Sequence, residues 1–255
     1  MKVSPACQHC YAETWAKRLG QKVWGSASDR RFFGEKHWKE PLRWNRDAEQ
    51  EGVRSRVFCA SMADVFEDRE DLKLWREKLW KLIKETPHLD WLLLTKRPEN
   101  ISSMIDWKKW PSNIWLGATV ENQEMADERL THLLKHKATV RFLSCEPLLG
   151  DLKLKKWAKK RGMQKIDWII AGGESGPKSR PMNPQSLRDL RDFCVENEIA
   201  FHFKQWGNWG PAPDGTTRKT VEFDGEVMAH LGKAVSGRTL DDGEWDQLPK
   251  ILANV

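Results

Sequence analysis

The chain has 255 residues, of which 31% are charged, and carries a formal net charge of +6. No apolar run approaches the ~18 residues of a membrane span, and no apolar signal-peptide segment follows Met1, so we expect a cytoplasmic protein without membrane contact. Five cysteines, an odd number, argue against a disulfide scaffold. The positive charge is compatible with a polyanionic partner. We expect most of the fifteen tryptophans to pack in the core.

Two cysteines near the N-terminus, Cys7 and Cys10, are separated by two residues and follow Pro5. This spacing lets both thiolates turn toward one metal ion or iron–sulfur cluster. A helix predicted over 11–19 begins directly behind them and favours the thiolate form. Because two ligands do not complete a metal site, two buried thiols or a redox pair are equally consistent with the motif.

Residues 20–55 read as irregular and basic. Six lysines and arginines lie between positions 30 and 46, interleaved with aromatic residues. Two interpretations stay open for this segment: a nucleic-acid surface, or a long loop that packs its aromatic side chains beneath a charged face.

Six short apolar segments follow and alternate with helical patterns. The predicted strands are 57–60, 91–94, 114–118, 140–143, 168–171 and 200–203, and the predicted helices are 71–85, 101–107, 123–136 and 184–197. Such alternation is typical of an α/β protein with a parallel sheet, either open or closed as a barrel.

Polar or ionisable residues follow every one of these six strands. They are Asp64; Thr95, Lys96 and Arg97; Glu121 and Asn122; Ser144, Cys145 and Glu146; Glu174 and Ser175; and Lys204 and Gln205. Because the C-terminal ends of parallel strands share one face, the pattern predicts a single polar site. The carboxylates suit an ammonium or ribose hydroxyl, and the cations suit a carboxylate or phosphate. Salt bridges among the same residues are the alternative.

The character of the chain changes after Trp209. A turn cluster at 211–215 is followed by short strand-like pieces at 220–223 and 227–230. We therefore predict a barrel over 1–210 and a small C-terminal appendage, residues 211–255, packed on the barrel.

Six motifs, taken together, resemble one family. They are Val-Ser-Pro-x-Cys-x-x-Cys-Tyr-Ala-Glu at 3–13, Ser-Met-Ala-Asp at 61–64, Leu-Thr-Lys-Arg-Pro at 94–98, Ser-Cys-Glu-Pro-Leu-Leu-Gly at 144–150, Gly-Gly-Glu-Ser-Gly at 172–176 and Phe-Lys-Gln-Trp-Gly at 203–207. In this order they resemble the phage and prophage three-cysteine-motif family, a domain of unknown function. That family looks like a divergent branch of the radical S-adenosylmethionine (SAM) enzymes.

The resemblance implies a partial TIM-like barrel that holds a 4Fe-4S cluster and SAM. It makes Cys7 and Cys10 the second and third cluster ligands and places Tyr11 close to the cluster. The family's first cysteine and first strand come several residues before Val3, and this chain has neither. We expect the natural start to lie upstream of Met1.

The Gly-Gly-Glu run resembles the element that contacts SAM in radical SAM enzymes, which makes Gly172, Gly173 and Glu174 candidate cofactor-binding residues. The candidate catalytic residues at the strand ends are Asp64, Lys96, Arg97, Glu146, Glu174 and Lys204. The leading hypothesis is a radical-SAM-like iron–sulfur enzyme that acts on a nucleic acid or nucleotide. Two alternatives stay open: a non-catalytic, cluster-free barrel that binds nucleic acid or a protein partner, and a zinc-dependent hydrolase or transferase.

Overall fold

The structure is a computed structural model that describes residues 2–25, 28–158 and 164–250. Six parallel strands form one curled sheet in chain order, flanked by helices. They are β1 (Ser55–Cys59), β2 (Leu89–Thr95), β3 (Ile114–Thr119), β4 (Val140–Cys145), β5 (Trp168–Gly172) and β6 (Ala200–Gln205). The predicted α/β fold, a partial TIM-like parallel barrel, is confirmed. All six C-terminal strand ends therefore lie on one side of the sheet, called the mouth below.

Helices precede, connect and follow these strands. They are α1 (Tyr11–Arg18), α2 (Glu35–Glu51), α3 (Lys73–Glu85), α4 (Ile101–Met104), α5 (Gln123–Leu133), α6 (Lys155–Ala158), α7 (Pro184–Glu196) and α8 (Lys233–Ser236). Two of them begin with an asparagine cap whose side-chain oxygen accepts a free N–H of the first turn: Asn122 before α5 and Asn183 before α7. Within the described ranges, no helix is long and apolar enough to cross a lipid bilayer.

The prediction of an irregular segment over 20–55 was wrong for α2. This helix ends at Gly52, which adopts a left-handed conformation with φ of 66°. Trp38, Leu42 and Ala48 lie at helical spacing and pack against the core. The charged residues between them concealed this apolar stripe in the sequence.

The two faces of the sheet have different surroundings. The outer face packs on the helices. The opposite, concave face carries a second apolar cluster, called the floor below, formed by Leu92, Trp115, Val140, Phe142, Trp168 and Ile170. Gly117 lies under the Phe142 ring, and a Cβ at position 117 would lie 2.3 Å from that ring. Glycine is therefore required here for the two strands to pack. Many tryptophans are buried as predicted: Trp80, Trp91, Trp115, Trp157, Trp168, Trp206 and Trp209.

The C-terminal residues cover one edge of the sheet. Strands β7 (Trp209–Pro211), β8 (Thr220–Phe223) and β9 (Glu226–His230) form an antiparallel sheet in the order β7-β9-β8, and β10 (Thr239–Leu240) pairs with β11 (Gly243–Glu244). The N–H of Phe203 in β6 donates to the carbonyl of Trp245 at 2.7 Å. The edge of β6 is thus protected from pairing with another chain, whereas β1 has a strand partner on one side only among the described residues.

Candidate functional site

The two predicted cluster ligands lie on a short loop, residues 4–10, called the Cys loop below. Pro5 occupies the first position of a 3-10 turn over Pro5–Cys7. The fixed φ of proline suits this position, and the N–H that proline lacks would have no hydrogen-bond partner within the turn. Cys10 directly precedes α1 as its N-cap residue. Cys7 is buried, Cys10 is partly exposed, and both are free thiols. Local geometry therefore brings both cysteines to the start of one helix.

A buried carboxylate ties the Cys loop to the mouth. Oε1 of Glu121, two residues after β3, accepts the N–H of Ala6 at 3.0 Å, and its Oε2 accepts from Nη1 of Arg129 at 3.0 Å. Burial by itself would raise the pKa of Glu121. Hydrogen bonds from Ser4 and Ala6 and the charge of Arg129 outweigh burial and hold this pKa below its ordinary value. Glu121 is therefore an ionised anchor between the Cys loop and α5.

A second anchor reaches the Cys loop from the segment after β5. Nε and the backbone N–H of Arg180 donate to Oε2 of Glu174 at 2.9 and 2.8 Å, and Nη2 donates to Oε1 at 2.7 Å. The same guanidinium donates to the carbonyl of Pro5 at 3.0 Å and to Oε1 of Gln8 at 3.3 Å. Glu174 thus orients Arg180, and Arg180 holds the loop.

A third contact joins the start of α1 to the end of β1. The hydroxyl of Tyr11 donates to the carbonyl of Ser61 at 2.9 Å, while 60% of Tyr11 remains exposed. The Cys loop and the first turn of α1 therefore span the mouth, with contacts to the segments that follow β1, β3 and β5. The role of the two thiols as cluster ligands stays a prediction.

Asp64 and Arg97, two of the candidate catalytic residues, are bound into the framework of the mouth. Oδ1 of Asp64 accepts from Oγ1 of Thr95 at 2.7 Å and from the N–H of Phe66 at 3.0 Å. Oδ2 accepts from the N–H of Lys96 at 2.9 Å and from Nη1 of Arg97 at 3.1 Å. These bonds order the segments after β1 and β2. The catalytic roles of Asp64 and Arg97 stay predictions.

Glu146 and Lys204 form an ion pair at the rim of the concave face. Oε1 of Glu146 lies 3.0 Å from Nζ of Lys204, and Oε2 lies 3.4 Å from Oγ of Ser144. A Cβ at Gly172 would lie 3.2 Å from Oε1 of Glu146. The glycine therefore leaves space for the carboxylate to extend past β5 toward β6. Both charged groups remain partly open to solvent.

Gly173 is explained by backbone packing. A Cβ at this position would lie 1.9 Å from the carbonyl oxygen of Trp206, because the segments after β5 and β6 touch backbone to backbone. Gly207, on the opposing segment, has φ of 81° and no room for a side chain beside Glu174. The contact of Gly172, Gly173 and Glu174 with SAM stays a prediction.

The described residues place two thiols, Cys7 and Cys10, on the Cys loop, one fewer than the three that a radical SAM cluster takes. Across the described parts of the chain, no group of three His, Cys, Asp or Glu side chains is arranged to hold a metal. Cys59 and Cys145 pack against the helix-facing core. Burial raises the pKa of Cys59 to about 12 and also raises that of Cys145. Neither is a ready third thiolate, so Cys7 and Cys10 fit the cluster only in part.

Three residues that organise the mouth were not among the predicted site residues. Glu121 was identified only as one of the polar residues after a strand, and Arg129 and Arg180 were not identified at all. Arg129 lies within α5, where arginine is ordinarily a solvated helix residue, yet only 1% of its side chain is exposed. Its burial follows from the position of Glu121, which the sequence pattern does not reveal.

Comparisons with other proteins identify the family but no relative of known activity. No curated protein sequence shows significant similarity to the chain, and neither does any solved structure. One family model, described as a protein of unknown function (DUF5131), matches residues 1–249. With nearly its whole length matched, and with its motifs arranged around the mouth of a parallel half-barrel, the chain belongs to the DUF5131 family of proteins of unknown function.

Proposed function

We propose that this chain is a radical-SAM-like iron–sulfur enzyme, with Cys7 and Cys10 as two of the cluster ligands and a nucleic acid or nucleotide as substrate. One observation carries the proposal: Glu121 and Arg180, from different segments, both hold the Cys loop at the mouth of a parallel half-barrel. A loop that served only to begin α1 would not need two charged anchors, one of them fully buried.

The cluster and SAM, when bound, would supply one-electron cleavage of SAM and hydrogen abstraction. The residues of the chain supply position and environment. The two anchors fix the Cys loop relative to the strands, and the floor keeps water from the lower part of the concave face. The Glu146–Lys204 pair presents a carboxylate and an ammonium that can orient polar groups of a substrate.

The second candidate is a cluster-free barrel that binds nucleic acid or a protein partner. The incomplete ligand set favours it, because the described residues offer only Cys7 and Cys10. A zinc-dependent hydrolase or transferase receives no comparable support, since a zinc site takes at least three protein ligands.

Anaerobic reconstitution with iron and sulfide separates these candidates. The proposal predicts iron–sulfur absorption and about four irons per chain. Cys7→Ala and Cys10→Ala should abolish iron loading, while Cys194→Ala, on the buried face of α7, should leave it unchanged. Full loading of the Cys7→Ala variant would refute the ligand assignment. Bound zinc without iron would favour the hydrolase, and a chain that takes up neither metal would favour the cluster-free barrel.

A further inference from the structure

Three side chains form a row on the concave face, just above the floor. Thr119 at the end of β3 is paired with Ser144 of β4, and Thr95 of β2 is paired with Ala118. Lys96, the residue after Thr95, therefore lies beside Thr119, and its Nζ donates to Oγ1 of Thr119 at 3.1 Å. Lys96, Thr119 and Ser144, from three neighbouring strand ends, thus lie side by side at the mouth.

The three cationic side chains predicted at the mouth, Lys96, Arg97 and Lys204, differ in whether a carboxylate lies beside them. Arg97 lies 3.1 Å from an oxygen of Asp64 and 3.7 Å from one of Glu67. Lys204 lies 3.0 Å from an oxygen of Glu146.

Lys96 has no such counter-charge. Among the residues that the structure describes, no carboxylate lies within ion-pair distance of its ammonium, although its side chain is partly buried. A partly buried charge is stable only when a counter-charge or hydrogen bonds replace lost water. A ligand anion would complete this environment.

The hydrogen-bond donors converge on the same point. A lysine ammonium has three N–H donors, and Lys96 uses one of them on Thr119. Thr119 is only 1% exposed, so its hydroxyl positions the ammonium from below and does not itself face a ligand. The remaining N–H donors and the full positive charge of Lys96 suit the oxygens of a phosphate.

Two exposed side chains with apolar surface lie at the segment that follows β1. Tyr11 is 60% exposed and Met62 is 40% exposed. The hydroxyl of Tyr11 donates to the carbonyl of Ser61, and the backbone N–H of Lys96 donates to Asp64, so both residues contact the segment 61–64 that carries Met62. Aromatic and thioether side chains beside a cation provide a surface on which a nucleobase stacks while its phosphate is neutralised.

We propose that Lys96, whose ammonium is positioned by Thr119, binds a phosphate group of a nucleotide whose base packs against Tyr11 and Met62. This inference rests on the proposed function for the identity of the site, but not on the cluster. Lys96 is then the anion-binding group of the substrate site, whereas the charges of Arg97 and Lys204 are neutralised by carboxylates of the protein.

The test is calorimetric titration of the iron-free chain with AMP, with adenosine as the ligand that lacks phosphate. We expect AMP to bind more tightly than adenosine. Lys96→Met should weaken AMP binding roughly 10- to 100-fold, the loss expected for a charge-assisted hydrogen bond, and leave adenosine unchanged. Thr119→Val should weaken AMP binding several-fold. Lys84→Met, on the exposed face of α3 at the opposite end of the barrel, is the matched control and should bind as wild type.

Equal AMP affinity in wild type and Lys96→Met, or equal affinity for AMP and adenosine, would overturn the proposal. So would SAM binding that depends on Lys96 when AMP binding does not, because Lys96 would then hold an amino-acid carboxylate. If the Lys96→Met variant does not fold, the ratio of AMP affinity to adenosine affinity is measured in Lys96→Arg and Thr119→Val instead. Because the titration uses no iron, failure of cluster assembly and failure of phosphate binding are distinguished.

Discussion

Releasing the Cys loop from its buried anchor tests the organisation of the mouth most directly. Glu121→Ala removes the acceptor of the Ala6 N–H, a bond of 3.0 Å between residues 115 positions apart. A hydrogen bond to a charged group contributes about 1.5–3 kcal/mol, so the population of chains with an open Cys loop should rise roughly 10- to 150-fold. Because Cys7 is 6% exposed, this opening controls access to its thiol.

The assay is the rate at which Cys7 reacts with a thiol reagent under native conditions, read by peptide mass spectrometry. Glu121→Ala also leaves Arg129 buried without its carboxylate, which by itself costs about 3–5 kcal/mol of global stability. The double variant Glu121→Ala/Arg129→Met removes that stranded charge, so global stability should largely recover while Cys7 stays reactive. Glu128→Ala, on the exposed face of α5, is the matched control.

The reasoning would be refuted if the double variant regained both its stability and the slow Cys7 reaction of the wild type. In that case the Cys loop would be held by Arg180 and local packing alone, and Glu121 would serve only to neutralise Arg129.

Three further predictions follow from the same contacts. Gly173→Ala places a methyl group against the Trp206 carbonyl and should destabilise the chain by about 1–3 kcal/mol, lowering Tm by roughly 2–12 °C, whereas Gly150→Ala, with open space around it, should leave Tm unchanged. An unchanged melting curve for Gly173→Ala would contradict the close packing. The folded state holds the pKa of Glu121 below its ordinary value of 4.5. The stabilisation that ionised Glu121 gives to the folded Cys loop is therefore fully present above pH 4.5, and it is lost as pH falls through the folded-state pKa. The protection of residues 4–10 against hydrogen exchange, measured relative to the intrinsic rate at each pH, should therefore stay constant from neutral pH to about 5 and fall below 4.5, and a pH-independent protection would count against the anchor. At neutral pH, Cys59 should react far more slowly with a thiol reagent than Cys10, because its pKa of about 12 leaves almost no thiolate, and equal rates would show that Cys59 is not desolvated.

The helix-facing core illustrates what local pattern reveals. Runs such as 91–94 and 168–171 predicted strands β2 and β5 because a strand buried on both faces is apolar at nearly every position. The structure extends β2 at both ends, to Leu89–Thr95, and β5 by one residue, to Gly172. α2 was missed because its apolar stripe is narrow and its other positions are strongly charged, so the composition of 35–51 resembled a basic loop.

The sequence by itself determined the order of the six strands, the parallel sheet and the gathering of polar residues at one mouth, because these follow from short apolar runs and chain direction. Only the tertiary structure decided which of those polar residues are already paired. Asp64, Arg97 and Glu174 are satisfied within the protein, whereas Lys96 has no counter-charge among the residues that the structure describes. The reason is that such pairing depends on contacts between segments up to 175 residues apart, which no local spacing records.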